Sequence, residues 1–188
     1  IDGTNTYTWD ARNQLVSISG AVSTNFQYDP FGRRVRTTIN GTTTDYLYDG
    51  ANVAQEKIGG TPSANMLTGG VDEVFSRTES GGTQSVLADG LGSTLALLSS
   101  AGVTQTEYTY EPFGNTTIGG AGSSNTSQYT ARENDGTGLY YYRARYYSPK
   151  LQRFISEDPS DFSGGDTNLY AYVSNGPCNA TDPDRKST

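Results

Sequence analysis

Acids carry most of the chemistry this sequence can offer. Its 188 residues include 20 Asp and Glu against 13 Lys and Arg, no histidine, and one cysteine, Cys178. Without histidine, Ser-His and Cys-His catalysis are excluded. A single thiol makes no intrachain disulfide, and a zinc centre of the usual Cys/His kind lacks its ligands. Cys178, beside Pro177, reads as a small filler rather than a nucleophile. Carboxylates, Lys, Arg, Tyr and Ser remain, and neither a metal nor a cofactor is expected. The run Asp89-Gly90-Leu91-Gly92-Ser93-Thr94 lacks the GK[ST] ending of a phosphate loop and reads as a turn between strands. Two Asp-Pro pairs, Asp158-Pro159 and Asp182-Pro183, stand 24 residues apart. That dipeptide is also a common turn former. The net charge of −7 argues against nucleic acid or an anionic membrane as the main partner, since both reward clustered Lys and Arg. No run approaches the roughly 20 apolar residues of a membrane span. No secretory signal pattern opens the chain, and Ile1-Asp2-Gly3 enters in mid-pattern, as a fragment would.

The elements that must position these groups are strands. Hydrophobic residues make up 33% of the chain, and 14 Tyr with 23 Gly set its character. Tyr, Thr, Val and Phe favour strands, while Gly, Asn and Asp favour turns. A phrase of aromatic-x-aromatic-acid recurs: Tyr7-Thr8-Trp9-Asp10, Phe26-Gln27-Tyr28-Asp29, Tyr46-Leu47-Tyr48-Asp49 and, with Glu for Asp, Tyr108-Thr109-Tyr110-Glu111. The first three aspartates are spaced 19 and 20 residues apart. Alternation along a strand puts both rings of the phrase on one face. The acid then ends the strand, and Pro and Gly supply the turn, as in Pro30-Phe31-Gly32 and Pro112-Phe113-Gly114. A second strand follows, such as Arg34 to Ile39, and Asn40-Gly41 is a strong hairpin signal. One period is therefore a hairpin, and the expected fold is all-β, built of stacked antiparallel hairpins. Val71 to Thr78, Thr83 to Asp89 and Val103 to Tyr110 continue the pattern between glycine-rich joints. Tyr28, Tyr48 and Tyr110 should occupy equivalent places on one face.

The segment Tyr28-Asp29-Pro30-Phe31-Gly32-Arg33 resembles the YD repeat. Further on come Gly138-Leu139-Tyr140-Tyr141-Tyr142-Arg143-Ala144-Arg145-Tyr146-Tyr147-Ser148-Pro149, then Arg153-Phe154-Ile155-Ser156-Glu157-Asp158-Pro159 and Asn168-Leu169-Tyr170-Ala171-Tyr172-Val173. This ordered set resembles the core segment of the RHS/YD-repeat family, and the resemblance extends over essentially the whole chain. It implies a wall of hairpins at 1–128, a core or plug at 129–184, and a polar tail at 185–188. Within the wall, Tyr28, Asp29, Gly32, Arg33, Tyr48, Asp49, Tyr110, Glu111 and Gly114 are the repeat residues. Leu139 to Tyr147, aromatic on both faces, suits a strand buried on both sides. In it Arg143 and Arg145 share a face with Leu139 and Tyr141, placed to pair with turn carboxylates or stack on rings. Leu169, Tyr172 and Val173 fall on one helical face behind a capping Asp166-Thr167-Asn168, which predicts a short helix in the plug.

Members of this family wind a β ribbon into a hollow shell, which in many bacterial proteins encloses a C-terminal toxin. The resemblance thus implies a secreted or cell-surface structural shell whose partners are the rest of that shell and its cargo. In the toxin-bearing branch the core resembles an aspartyl autoprotease with two Asp-Pro-x-Gly elements. Asp158 and Asp182 would be its acid and base, with Arg153 biasing their protonation. Asp161 and Arg185 stand where the motif has glycine, and Lys186 where it has leucine. A third reading is a binding module that presents tyrosine rings to a cell-surface protein or glycan. Asn-x-Ser/Thr matches at Asn40, Asn115, Asn125 and Asn179 bear on that reading.

Overall fold

The computed structural model describes residues 4–159 and 167–182. Twelve strands pair in strict sequence order into one antiparallel sheet. They are β1 (Thr6–Trp9), β2 (Leu15–Ser19), β3 (Thr24–Tyr28), β4 (Arg34–Ile39), β5 (Thr42–Asp49), β6 (Asn52–Ile58), β7 (Thr61–Thr68), β8 (Val74–Glu79), β9 (Gly82–Ala88), β10 (Thr94–Leu98), β11 (Thr104–Tyr110) and β12 (Thr116–Gly120). The sheet stays open, with β1 and β12 as its edges. A second, four-stranded sheet holds β13 (Glu133–Asn134), β14 (Tyr140–Tyr142), β15 (Arg145–Ser148) and β16 (Arg153–Phe154).

Two kinds of turn recur along the meander. Asn40-Gly41 joins Ile39 to its partner Thr42, with φ of 48° and 88°, the pair of positive values a two-residue primed turn requires. At the opposite end, the acid after β3 organises a wider turn. The Asp29 N–H donates to the Arg33 carbonyl (2.9 Å), the Gly32 N–H donates to the Asp29 carbonyl (2.9 Å), and Asp29 Oδ1 accepts from Phe31 N and Arg33 N. Asp10 repeats this pattern with Arg12 and Gln14. Asp89, where no aromatic phrase precedes, repeats it with Leu91 and Ser93. Glu111 makes the same backbone pair with Asn115 and Gly114. Asp49 differs: it pairs with Asn52 as the last rung of β5, across a two-residue turn at Gly50-Ala51.

The core segment folds against the inner face of this sheet. From β12 the chain crosses back as a strap: Thr106 Oγ1 donates to the Ala121 carbonyl (2.9 Å), Arg77 Nη2 to Ser124 Oγ (3.0 Å), and Thr94 Oγ1 to the Ser127 carbonyl (2.8 Å). Leu139 to Tyr147 is a hairpin, not the single strand expected. Arg143 takes a φ of 53°, the chain reverses at Arg143-Ala144, and Tyr140, Tyr141 and Tyr142 pair with Tyr147, Tyr146 and Arg145. Folding back lets both aromatic faces be buried at once. Tyr141 and Tyr146 pack with Leu15, Ile18, Phe26 and Leu139, beside Trp9 and Tyr28. Tyr140, Tyr142 and Tyr147 pack with Tyr129, Phe154 and Tyr172, beside Tyr110 and Phe113. One hairpin therefore touches both the first strands and the β11–β12 turn, so the sheet curls around it. The short helix of the plug is a single 3-10 turn, Val173–Asn175, after the buried and extended Tyr172; Leu169 and Tyr172 lie outside it, so the expected helical face does not form. Of the expected cap, Asp166 lies outside the described residues, while Asn168 Oδ1 accepts from Tyr170 N (3.1 Å).

Candidate functional site

The wall tyrosines make one repeated bond. The Tyr28 hydroxyl donates to the Leu15 carbonyl (2.7 Å), Tyr48 to Arg34 (2.8 Å), and Tyr110 to Thr94 (2.6 Å). Each acceptor is the first residue of the preceding strand, so the three rings hold equivalent places. They form no ring-to-ring ladder among themselves. Tyr28 instead meets Tyr141 (6.4 Å between centroids), Tyr110 meets Tyr129 (5.6 Å), and Tyr48 carries the Arg33 guanidinium at 5.1 Å. Burial pushes the phenols of Tyr28, Tyr48 and Tyr110 well above their ordinary range, which keeps them neutral donors. Arg33 also pairs with Asp29 (2.8 Å). Slight burial works against the Asp29 charge, but bonds from Arg33 outweigh it and hold the carboxyl low.

Core tyrosines reach turns at one end of the sheet. Tyr141 Oη lies 3.1 Å from Arg34 N and 3.4 Å from the Gly32 carbonyl. Tyr147 Oη donates to Phe113 O (2.9 Å), Tyr140 Oη to Gly114 O (3.1 Å), and Tyr129 Oη to Pro112 O (2.8 Å). A Cβ on Gly114 would lie 2.5 Å from the Tyr129 ring, so the close approach of core to turn demands glycine there. Ion pairs reinforce the joint. Arg34 on β4 forms a bidentate pair with Asp135, both nearly fully buried. Asp72, in the β7–β8 turn, holds Arg132 (2.8 Å) and Arg143. Gly138 (φ 82°) precedes the buried Leu139, and the Pro149 carbonyl accepts from Gln152 N (3.3 Å) in the β15–β16 turn.

Asp158 and Asp182 come together, but on Arg145 rather than Arg153. Arg145 Nη1 lies 3.2 Å from Asp158 Oδ2, and Nη2 lies 2.9 Å from Asp182 Oδ2. Its guanidinium carbon sits 3.6 Å from the Phe154 ring centroid, inside the aromatic cluster. The Leu169 carbonyl accepts from both Asp158 N (3.0 Å) and Arg145 Nη1 (3.3 Å). All three side chains are more than four-fifths buried. Arg153 is exposed, with its guanidinium 4.4 Å from the Tyr170 ring. The expectation that Arg143 and Arg145 share a face fails for the same reason as the single strand: the turn at Arg143 sends one to Asp72 and the other to the aspartate pair. Asp161 and Arg185 lie outside the described residues. Cys178 is exposed, not a buried filler. Of the four Asn-x-Ser/Thr matches, Asn125 is buried, with its amide donating to the Ser127 carbonyl (2.7 Å).

Arg132, Asp72 and Asp135 were not singled out from sequence, and no local signal marks them. The turn expected at Asp89 is present, and it shares with Asp29-Gly32 and Glu111-Gly114 an acid followed three residues on by glycine.

Comparison with known proteins sets this geometry in context. The RHS Repeat family matches residues 9–39. The "tRNA3(Ser)-specific nuclease WapA" of Bacillus spizizenii is 36% identical over 97% of this chain and 8% of its own length. "Toxin subunit YenC2" of Yersinia entomophaga is 44% identical over 80 residues, 40% of this chain and 8% of that protein. The crystal structure of TcdB2-TccC3-Cdc42 superposes with a TM-score of 0.80 at 24% identity, covering 97% of this chain and 10% of that one. The chain thus spans about 8–15% of the length of the curated relatives it matches.

Proposed function

The chain belongs to the RHS-repeat family, and on that premise we propose that it supplies part of the wall of a hollow shell together with the core that closes one end. The cargo would be a toxin domain carried by the same protein, in keeping with the nuclease and toxin names of its relatives. The observation that carries this reading is the core hairpin. Its buried tyrosines are tied to the β3–β4 turn on one side and the β11–β12 turn on the other, and its Arg143 to the β7–β8 turn. A segment that only decorated the wall would not bond to turns along the whole sheet. Export or cell-surface display follows from the same proposal. The tyrosine-rich binding reading is less well supported, because most of the core rings are spent on packing. Electron cryomicroscopy of the full-length protein tests the proposal. A closed shell with residues 129–182 at one end supports it, and a cargo domain outside the wall would contradict it.

A second reading has its own observation, two aspartates on one guanidinium. In an aspartyl autoprotease one carboxylate takes a proton from water as the oxygen bonds to the scissile carbonyl carbon. The other, a protonated carboxyl, gives its proton to the leaving nitrogen, and a free carboxyl and amine result. Asp158 and Asp182 would fill these roles, with Arg145 holding them in register. The full-length protein with Asp158→Asn or Asp182→Asn, followed by intact mass, decides it. Cleavage that stops in folded variants supports the reading, and undiminished cleavage in both rejects it.

A further inference from the structure

Asp182 is held twice. Arg145 takes its carboxylate, while Arg132 Nη2 donates to its backbone carbonyl at 3.1 Å. Arg132 is itself buried, its guanidinium carbon 5.0 Å from the Tyr142 ring centroid. Both of its terminal nitrogens also reach Asp72, Nη1 at 3.1 Å from Oδ1 and Nη2 at 2.8 Å from Oδ2. Asp72 belongs to the wall, in the turn between β7 and β8, with a φ of 65°. A continuous path of partly buried, charge-assisted bonds therefore runs from the wall to the backbone of one candidate catalytic aspartate.

Resting on the autoprotease reading, we propose that Arg132 is a positioning residue through which Asp72 of the wall sets Asp182 against Asp158. Fixing a carboxylate requires fixing its backbone as well as its charge. Arg145 supplies only the second, since it reaches Asp182 through the carboxylate alone. Arg132 supplies the first, and it is anchored outside the core. The wall is then part of the cleavage machinery, because its Asp72 fixes the Arg132 that holds the Asp182 backbone. A displacement of about 1 Å in such a group costs on the order of a hundredfold in rate.

The test uses the full-length protein, with the appearance of the cut product timed by intact mass and folding checked by near-UV circular dichroism. Arg132→Gln and Asp72→Asn should each slow cleavage between about ten- and a hundredfold. The double variant should be no slower than the worse single, because the two act as one link. Arg132→Lys, which keeps the charge, should recover part of the rate. Arg143→Gln is the discriminating control: it breaks another bond to Asp72 without touching Asp182, and its rate should be unchanged. If Arg143→Gln slows cleavage as much as Arg132→Gln, the wall contact is general anchoring and the proposal is wrong. If Arg132→Gln cuts at the normal rate while Asp182→Asn does not cut, the proposal falls and the aspartate reading stands. If Asp182→Asn cuts normally, or the unmutated protein is never cut, both fall.

Discussion

Removing the charge of Arg34 should destabilise the joint between wall and core more than removing the whole Arg34–Asp135 pair. Arg34 opens β4, and its side chain is 2% exposed against 3% for Asp135. Its guanidinium carbon stands 4.3 Å from the Tyr141 ring centroid, 5.4 Å from Phe26 and 5.5 Å from Tyr46. Burial works against this charge, but the Asp135 carboxylate outweighs it and keeps the guanidinium ionised above its ordinary range. Arg34→Met would strand a buried carboxylate, and Asp135→Leu a buried guanidinium. Losing one partner of such a pair costs about 3–5 kcal/mol. At roughly 2–4 °C per kcal/mol for a domain of this size, Tm falls by about 6–20 °C. Replacing both with apolar groups removes the unpaired charge, and the double variant should lie within about 1–2 kcal/mol of the parent. Urea unfolding followed through Trp9, the chain's single tryptophan, reads this directly, because Trp9 packs on the same cluster. Single variants that each cost under about 1 kcal/mol, or a double variant equal to their sum, would refute the buried pair.

Other consequences are more local. Tyr28→Phe removes a hydroxyl bonded to both the Leu15 carbonyl and Tyr146 Oη (2.9 Å), whereas Tyr48→Phe loses the bond to the Arg34 carbonyl, so the first should cost about 1–3 kcal/mol and the second about 0.5–1.5 in thermal unfolding. Gly114→Ala meets both a φ of 83° and the Tyr129 ring, and should lower Tm more than Gly41→Ala, where φ is 88° but the space is open. Glu133 gives a pH dependence. Burial raises its carboxyl above the ordinary range, against nearby arginines that lower it, so the folded chain binds the proton more tightly than the unfolded one. Its contribution is present below the ordinary carboxylate pKa and is lost as pH rises through the raised value. Glu133→Gln should flatten the fall of the urea midpoint as pH rises above the ordinary carboxylate range, and an unchanged slope would count against it.

What was legible in the sequence was what neighbouring residues determine. Asn40-Gly41 and the Asp29 turn follow from side chains within four positions, and both strands around them appear where expected. The Asp89 turn was legible from its glycines alone, without the aromatic phrase before it, and the same backbone bonds form. Leu139 to Tyr147 was read as one strand because a run with aromatic residues on both faces has no period to mark a reversal. The reversal is made by Arg143, drawn to an aspartate 71 positions earlier. Arg153 was chosen over Arg145 by nearness in sequence to Asp158. Strand pairing of β15 with β16 instead brings Arg145 beneath Phe154 and between the carboxylates. The Arg132–Asp72 link spans 60 positions and leaves no local trace.

Protease protection of the full-length protein tests the central claim most directly. If residues 129–182 close a shell around the chain that follows them, polypeptide beyond Asp182 should survive added protease for as long as the wall is folded. It should become susceptible together with the wall, at one denaturant concentration, and at a lower concentration in Arg34→Met. Digestion of that polypeptide while the wall and core remain intact would contradict the account.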